Sequence, residues 1–246
     1  MAVVNAFDAV GSERFLAALT AVPRDIGGPP RLCAACLRVL KVQRVAIAIT
    51  VDFAETGWEV LCASDPIADR FEALQATAGQ GPGFDAAARG EPVNVESLAL
   101  IHHRWPLLGA AMDPAESGAV YSIPLQAGAA RLGVLDLFCD APGPLDGAQW
   151  AAATSVATMV TMILLSDQRA ESDRAEMVLG QWWNSAPRTR EIHQASGMVA
   201  AQLGVPVRDA YARLQGHAFA HGHTLAEVAS DVVARRLRLS PDPDGP

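Results

Sequence analysis

The residues of this chain best suited to chemistry gather near its C-terminus. Four of the six histidines, His193, His217, His221 and His223, lie there, interspersed with Arg190, Arg208, Arg213, Arg235, Arg236 and Arg238. Imidazoles four residues apart, such as His217 and His221, share one helical face, where they can titrate near neutrality, stack on flat rings or ligate a metal. No cysteine and no third well-spaced ligand accompanies them, so the pattern speaks against a metal site and for surface polar groups. Further upstream, Cys33-Ala34-Ala35-Cys36 has the spacing of a redox pair. Its apolar neighbours on an expected helix instead make cysteine a small hydrophobe, and reduced thiols are expected for Cys33, Cys36, Cys62 and Cys139. His102-His103 is either a ligand pair in a pocket or a solvated loop before Trp105, and the loop is the better reading. The chain has no glycine-rich phosphate loop with its lysine, no Gly-x-Ser-x-Gly elbow and no histidine-carboxylate grouping with metal spacing. A protein that is not an enzyme, with no cofactor indicated, is the expectation.

Charge singles out the same segment. Residues 1–185 carry 12 Lys+Arg against 21 Asp+Glu, a net of −9, whereas residues 186–246 carry 7 arginines against 6 acids, a net of +1. Only the C-terminal part is electrostatically suited to a polyanion. With 246 residues, half of them apolar, two domains are expected. The opening MAVVNAFDAVGSERF lacks a basic start and a continuous apolar stretch, and no run of about eighteen apolar residues stands out. A cytoplasmic protein without membrane partners is expected.

The elements that must position these groups follow from periodicity. Helical spacing runs through Ile192, Ala195, Val199 and Leu203, then Val207, Ala210, Tyr211, Leu214 and Ala218, then Leu225, Val228, Ala229, Val232 and Leu237. Gly204 and Gly222 mark helix ends, Pro206 opens the second helix, and Thr224 with Glu227 reads as a capping box for the third. Three short helices thus form a small module. Upstream, helices are expected over 3–22 and 32–40, and strands over 44–52 and 58–64 joined at Glu55-Thr56-Gly57. Then come a helix over 67–78 closed by Gly79-Gln80-Gly81-Pro82-Gly83, a short strand over 92–95 and a helix over 104–112. Strands over 119–126 and 131–139 follow, then a long helix from Asp146 to about Met177. This order predicts an α+β domain whose antiparallel sheet is covered by helices.

At this point the residues carry a resemblance. Gly79-Gln80-Gly81-Pro82, Asp85-Ala86, Gly90-Glu91-Pro92-Val93-Asn94-Val95, Ile123-Pro124-Leu125 and Gly133-Val134-Leu135-Asp136-Leu137 look like a GAF domain of the kind common in actinobacterial regulators. Ile192-His193-Gln194-Ala195-Ser196-Gly197-Met198, with Ala210-Tyr211, Leu214 and Leu225-Ala226-Glu227-Val228-Ala229, resembles the ANTAR RNA-binding domain. The resemblance implies a GAF sensory domain over 1–180, an ANTAR domain over 181–240 and a disordered tail over 241–246. It further implies a transcription antitermination regulator, a homodimer binding paired RNA stem-loops so that a terminator hairpin cannot form. The rival reading is a ligand-binding or protein-interaction dimer whose ANTAR module has lost RNA affinity.

RNA loops are recognised by stacking, by hydrogen bonds to splayed bases and by cations on adjoining phosphates. The expected RNA-binding residues are Arg190, His193, Gln194, Ser196, Gly197, Arg213, Gln215, His217 and Thr224. Gly197 in mid-helix marks either close helix packing inside the module or close approach of a ligand. Ser196, Gln215 and Thr224 stand where ANTAR domains commonly carry lysine, arginine and lysine, so the counterion-release contribution to affinity is reduced. For Arg235, Arg236 and Arg238, interaction with a helix C-terminus is the simpler reading. Gly83 stands where GAF relatives often have cysteine. A small-molecule ligand of the GAF domain would occupy the pocket between the sheet and the helices carrying residues 67 to 112. The long helix offers Thr154, Met159, Thr161 and Met162 to a partner helix of a second copy, and Trp182-Trp183 would dock one domain on the other.

Overall fold

The computed structural model describes residues 9–23, 25–51, 57–113, 117–170 and 187–240. Among them, strands β1 (Arg44–Val51), β2 (Gly57–Ala63), β3 (Val93–Val95), β4 (Ala119–Ala127) and β5 (Ala130–Cys139) form one sheet. All pairs are antiparallel, in the order β2-β1-β5-β4-β3. Side chains alternate across a strand, so the apolar runs of the sequence make two buried faces. Val45, Ile47, Tyr121, Ile123, Leu135 and Leu137 face α1 (Ala9–Ala21), α2 (Pro30–Val39) and α6 (Gly147–Ala170). Ala46, Ala48, Trp58, Val120, Val134 and Phe138 face α3 (Pro66–Ala78), α4 (Pro82–Arg89), α5 (Pro106–Ala111) and a 3-10 turn over Leu98–His103. The expected α+β architecture, an antiparallel sheet covered by helices, is the one observed.

Two elements on the second face depart from the sequence reading. The glycine-rich stretch after α3 is not a long loop: α4 starts at Pro82 and ends at Gly90, which is left-handed at φ 70°. Proline at the first position, Asp85 in the first turn, Arg89 in the last turn and glycine just beyond form a complete set of helix boundary signals, hidden by the glycines on both sides. His102 and His103 lie on the 3-10 turn instead of in an open loop, exposed and with ring centroids 4.0 Å apart.

Helix α6 corrects another expectation, because Gly147–Ser166 is long and apolar enough to cross a membrane by length and composition. Its Ala153, Val156, Ala157 and Val160 are buried with the sheet residues of the first face, so one side of this apolar helix belongs to a protein core. Residues 171–186, which hold Trp182 and Trp183, lie outside the described residues, as do 52–56 of the expected hairpin turn, residues 3–8 of the expected first helix and the tail 241–246.

The cysteines also differ from expectation. Cys33 on α2 is disulfide-bonded to Cys62 on β2, with 6.3 Å between their Cα atoms. The pairing is set by α2 lying across β2, a contact that the Cys33 to Cys36 spacing does not encode. Cys36 stays a buried thiol, pushed up to about 12 by burial.

The C-terminal module consists of α7 (Pro187–Leu203), α8 (Val207–His221) and α9 (Leu225–Val233) around Ala195, Val199, Tyr211, Leu214, Leu225 and Val228. Gly204 and Gly222 are left-handed, at φ 67° and 68°, as the helix-end reading requires. The third helix stops before Leu237. Arg235 takes a left-handed backbone at φ 59°, and the chain folds back to bury Leu239 on the same core.

Candidate nucleic-acid interface

The expected RNA-binding residues divide into three groups in space. Arg190, His193, Gln194 and Gly197 are exposed on α7. A Cβ added at Gly197 would meet nothing within 4 Å, so the packing explanation for this glycine fails. It leaves a flat open stretch of helix between His193 and Met198. Ser196, one residue earlier, points the other way: it is 1% exposed, and its hydroxyl donates to the Ile192 carbonyl at 2.8 Å. Successive helical residues are about 100° apart, which is why neighbours in the motif are split between surface and core.

The second group lies on α8. His217 stacks on His221 with centroids 4.1 Å apart, and the His217 carbonyl meets Nδ1 of His221 at 2.8 Å. Burial, with the nearby His221 and His223, holds His217 below the ordinary histidine value. Arg213 is half-buried one position before Leu214.

The third group, Gln215 and Thr224, meets the N-terminal domain. Gln215 donates from Nε2 to the Ala76 carbonyl at 2.7 Å, one of the last four carbonyls of α3, which have no partner within their own helix. The Leu225 N–H, an equally orphaned donor at the start of α9, donates to Oγ1 of Thr77 at 2.9 Å. Each domain therefore caps the other's helix end, and the negative end of α3 faces the positive end of α9. Thr224 completes the start of α9. Its hydroxyl accepts from the Glu227 N–H at 3.2 Å while the Glu227 carboxylate takes the Thr224 N–H at 2.7 Å, the capping box expected from the sequence. Those bonds hold the Glu227 carboxyl below its ordinary value. Buried Tyr211 lies beside the Trp58 backbone, and burial pushes its phenol up to about 12. Thr77 and Ala76 were not legible as interface residues, since a threonine and an alanine in a helix carry no sign of what lies 140 residues away in sequence.

Helix α3 also carries a polar network buried against the sheet. Trp58 donates from Nε1 to Glu72 at 3.1 Å, and Gln75 donates from Nε2 to both Glu72 and Asp136 at 3.2 Å. Gln75 then accepts the Gly83 N–H at 2.9 Å. Glu72, Gln75 and Asp136 are all fully buried. Loss of water raises the carboxyls of Glu72 and Asp136 above their ordinary values, and the neighbouring Asp136 raises Glu72 further. A Cβ at Gly83 would stand 2.9 Å from the Trp58 ring and 3.1 Å from Asp136, so this network accounts for glycine where a cysteine was expected. The pocket expected between the sheet and the helices of residues 67 to 112 is therefore largely filled here. A cavity of about 290 Å³ remains at its end, beside Ile67, Phe71, Leu74, Leu98 and Phe138. Among the described residues no group of three or more histidine, cysteine or acidic side chains is placed to hold a metal ion.

Residues 186–233 match the family model of the ANTAR domain. Among solved structures, the chain is similar to the GAF domain of a phosphoenolpyruvate-protein phosphotransferase from Acinetobacter, with 14% identity and a TM-score of 0.46 over 68% of this chain and 97% of that one. It is also similar to the GAF domain of a phosphoenolpyruvate-protein phosphotransferase from Coxiella burnetii, with 15% identity and a TM-score of 0.48 over 67% and 95% of the two chains. No curated protein matches. The C-terminal module is accordingly an ANTAR domain.

Proposed function

We propose that this chain is an RNA-binding transcription antitermination regulator, its ANTAR domain binding paired stem-loops under the control of a GAF-like sensory domain. The reading is supported by the ANTAR match, by the net of +1 on residues 186–246 against −9 on the rest, and by the open face around Gly197. The observation that carries the control is the exchange of helix caps between α3 and the ANTAR domain. In the docked state Gln215 is spent on Ala76 and Thr224 stands at the domain junction, while Arg190, His193, Gln194 and Gly197 are exposed. Docking thus closes part of the RNA face, and full engagement of a stem-loop requires α8 and the start of α9 to leave α3. The protein acts in the cytoplasm, without catalysis, as a homodimer paired through α6, where Met162 is 51% exposed.

A second reading, an interaction module that has lost RNA affinity, is favoured by one observation: of the three neutral residues at expected cation positions, Ser196 is buried and Gln215 is engaged. Titrating the full-length protein with a tandem stem-loop RNA and with a scrambled RNA over a salt series separates the two. The proposal expects tighter binding to the stem-loops and an affinity that falls linearly in log–log form with salt. Equal, weak and salt-sensitive binding to both RNAs leaves only the second reading.

A further inference from the structure

The junction of the two domains is not closed along its whole length. Beside the exchanged caps lies a cleft of about 460 Å³, within the usual size range of small-molecule sites. Trp58, Val60 and Ala73 of the N-terminal domain and Ile192, Leu225 and Ala226 of the ANTAR domain give it an apolar lining. Among its charged lining residues the carboxylates of Glu191 and Glu227 outnumber the one guanidinium of Arg70. Glu227 is pinned in position by the capping box, so part of that negative charge is fixed in place. Trp58, 6% exposed and stacked on Phe84 with centroids 4.3 Å apart, borders the cleft with the part of its indole that Phe84 leaves uncovered, an aromatic surface that attracts cations.

We propose that this cleft binds a small organic cation, an amine on a flat apolar body, as a ligand that holds the ANTAR domain in its docked state. The charge balance selects the cation, and the mostly apolar lining, with its indole, selects the flat body. Both domains supply walls, so the site exists only while they are docked, and a ligand there must shift the equilibrium toward docking. At a hundred times its dissociation constant the amine multiplies the docked population relative to the undocked one about 100-fold. By linkage RNA and amine oppose each other to the same degree. That consequence rests on the function proposed above; the binding of the amine does not.

The test is calorimetric titration of the full-length protein with tryptamine and with indole-3-acetate, which share a ring system and differ in the sign of their charge. Tryptamine is expected to bind at least about tenfold more tightly than the acid, a difference that Glu191→Gln narrows. Ala73→Leu, which fills the cleft from an α3 position outside the exchanged caps, is expected to abolish binding. Equal affinity for both probes, no binding of tryptamine, or a Glu191→Gln protein indistinguishable from the parent overturns the proposal. Repeating the stem-loop titration with saturating tryptamine then reads the coupling: weakened RNA binding supports it, and unchanged RNA binding overturns the docking role. A protein that binds no stem-loop at all fails the proposed function, while the two amine titrations still decide the cleft.

Discussion

The two domains reach stability by different means. In the N-terminal domain each sheet face is sealed by helices from distant parts of the chain, and large side chains such as Phe15, Tyr121, Leu125 and Leu137 fill the larger core. The ANTAR domain encloses one small core, in which Ala195, Ala210, Ala218 and Ala229 occupy much of the space. A module this short buries too little apolar surface to be robust alone. Its contacts with α3 therefore contribute to its stability, and the same contacts occupy residues expected to touch RNA. In the proposed function, stability and regulation therefore meet at one surface.

The strongest way to break this contrast is Leu214→Ala, which removes the largest of the fully buried side chains in α8. A loss of about 2–5 kcal/mol is expected, concentrated in the ANTAR domain. Calorimetry should then show a separate low-temperature transition ahead of an unaltered one for the sheet domain. A single transition displaced as a whole would mean that the two domains unfold as one unit.

Thr77→Ala tests the junction without altering the RNA face. It leaves the Leu225 N–H without its acceptor, at a cost of about 1–3 kcal/mol to the docked state. Faster hydrogen exchange at Leu225 and tighter stem-loop binding are expected together. Faster exchange with unchanged RNA affinity would separate docking from regulation.

A third test exploits the carboxyl pair, which belongs to the sheet domain alone. Because burial raises Glu72 and Asp136 in the folded state, their neutral form stabilises the fold below the ordinary carboxylate range, and that contribution is lost as pH rises through the raised values. Within that window stability falls by about 1.4 kcal/mol per pH unit for each proton the fold retains. Glu72→Gln should flatten this dependence in the sheet-domain melting transition. An equally steep profile in the variant would show that the pair does not retain its proton.

The smallest effect is expected at Gly197. Alanine there meets only open space and removes the cost of a mid-helix glycine, so the ANTAR domain should gain about 0.5–1 kcal/mol. Weaker RNA binding in that more stable protein would identify the residue as a point of RNA approach.

Much of this could be read from the chain itself. The three ANTAR helices were legible because their apolar residues recur within one or two turns and their ends carry Gly204, Pro206, Gly222, Thr224 and Glu227, all local signals. The strands were legible as short apolar runs bounded by turns, whereas α4 was obscured because its boundary glycines also read as a loop. At the candidate site His193, Gln194 and Gly197 are exposed, whereas the burial of Ser196 depends on which way α7 turns toward its neighbours. Local spacing thus determined the helices, the strands, the caps and the charge contrast between the domains. The tertiary structure alone decided the Cys33–Cys62 bond, the buried network that joins Glu72 and Gln75 to Asp136, and the exchange of caps between α3 and the ANTAR domain. Each of these joins residues 29 or more positions apart, and a contact closed by the packing of whole elements leaves no period in the sequence to announce it.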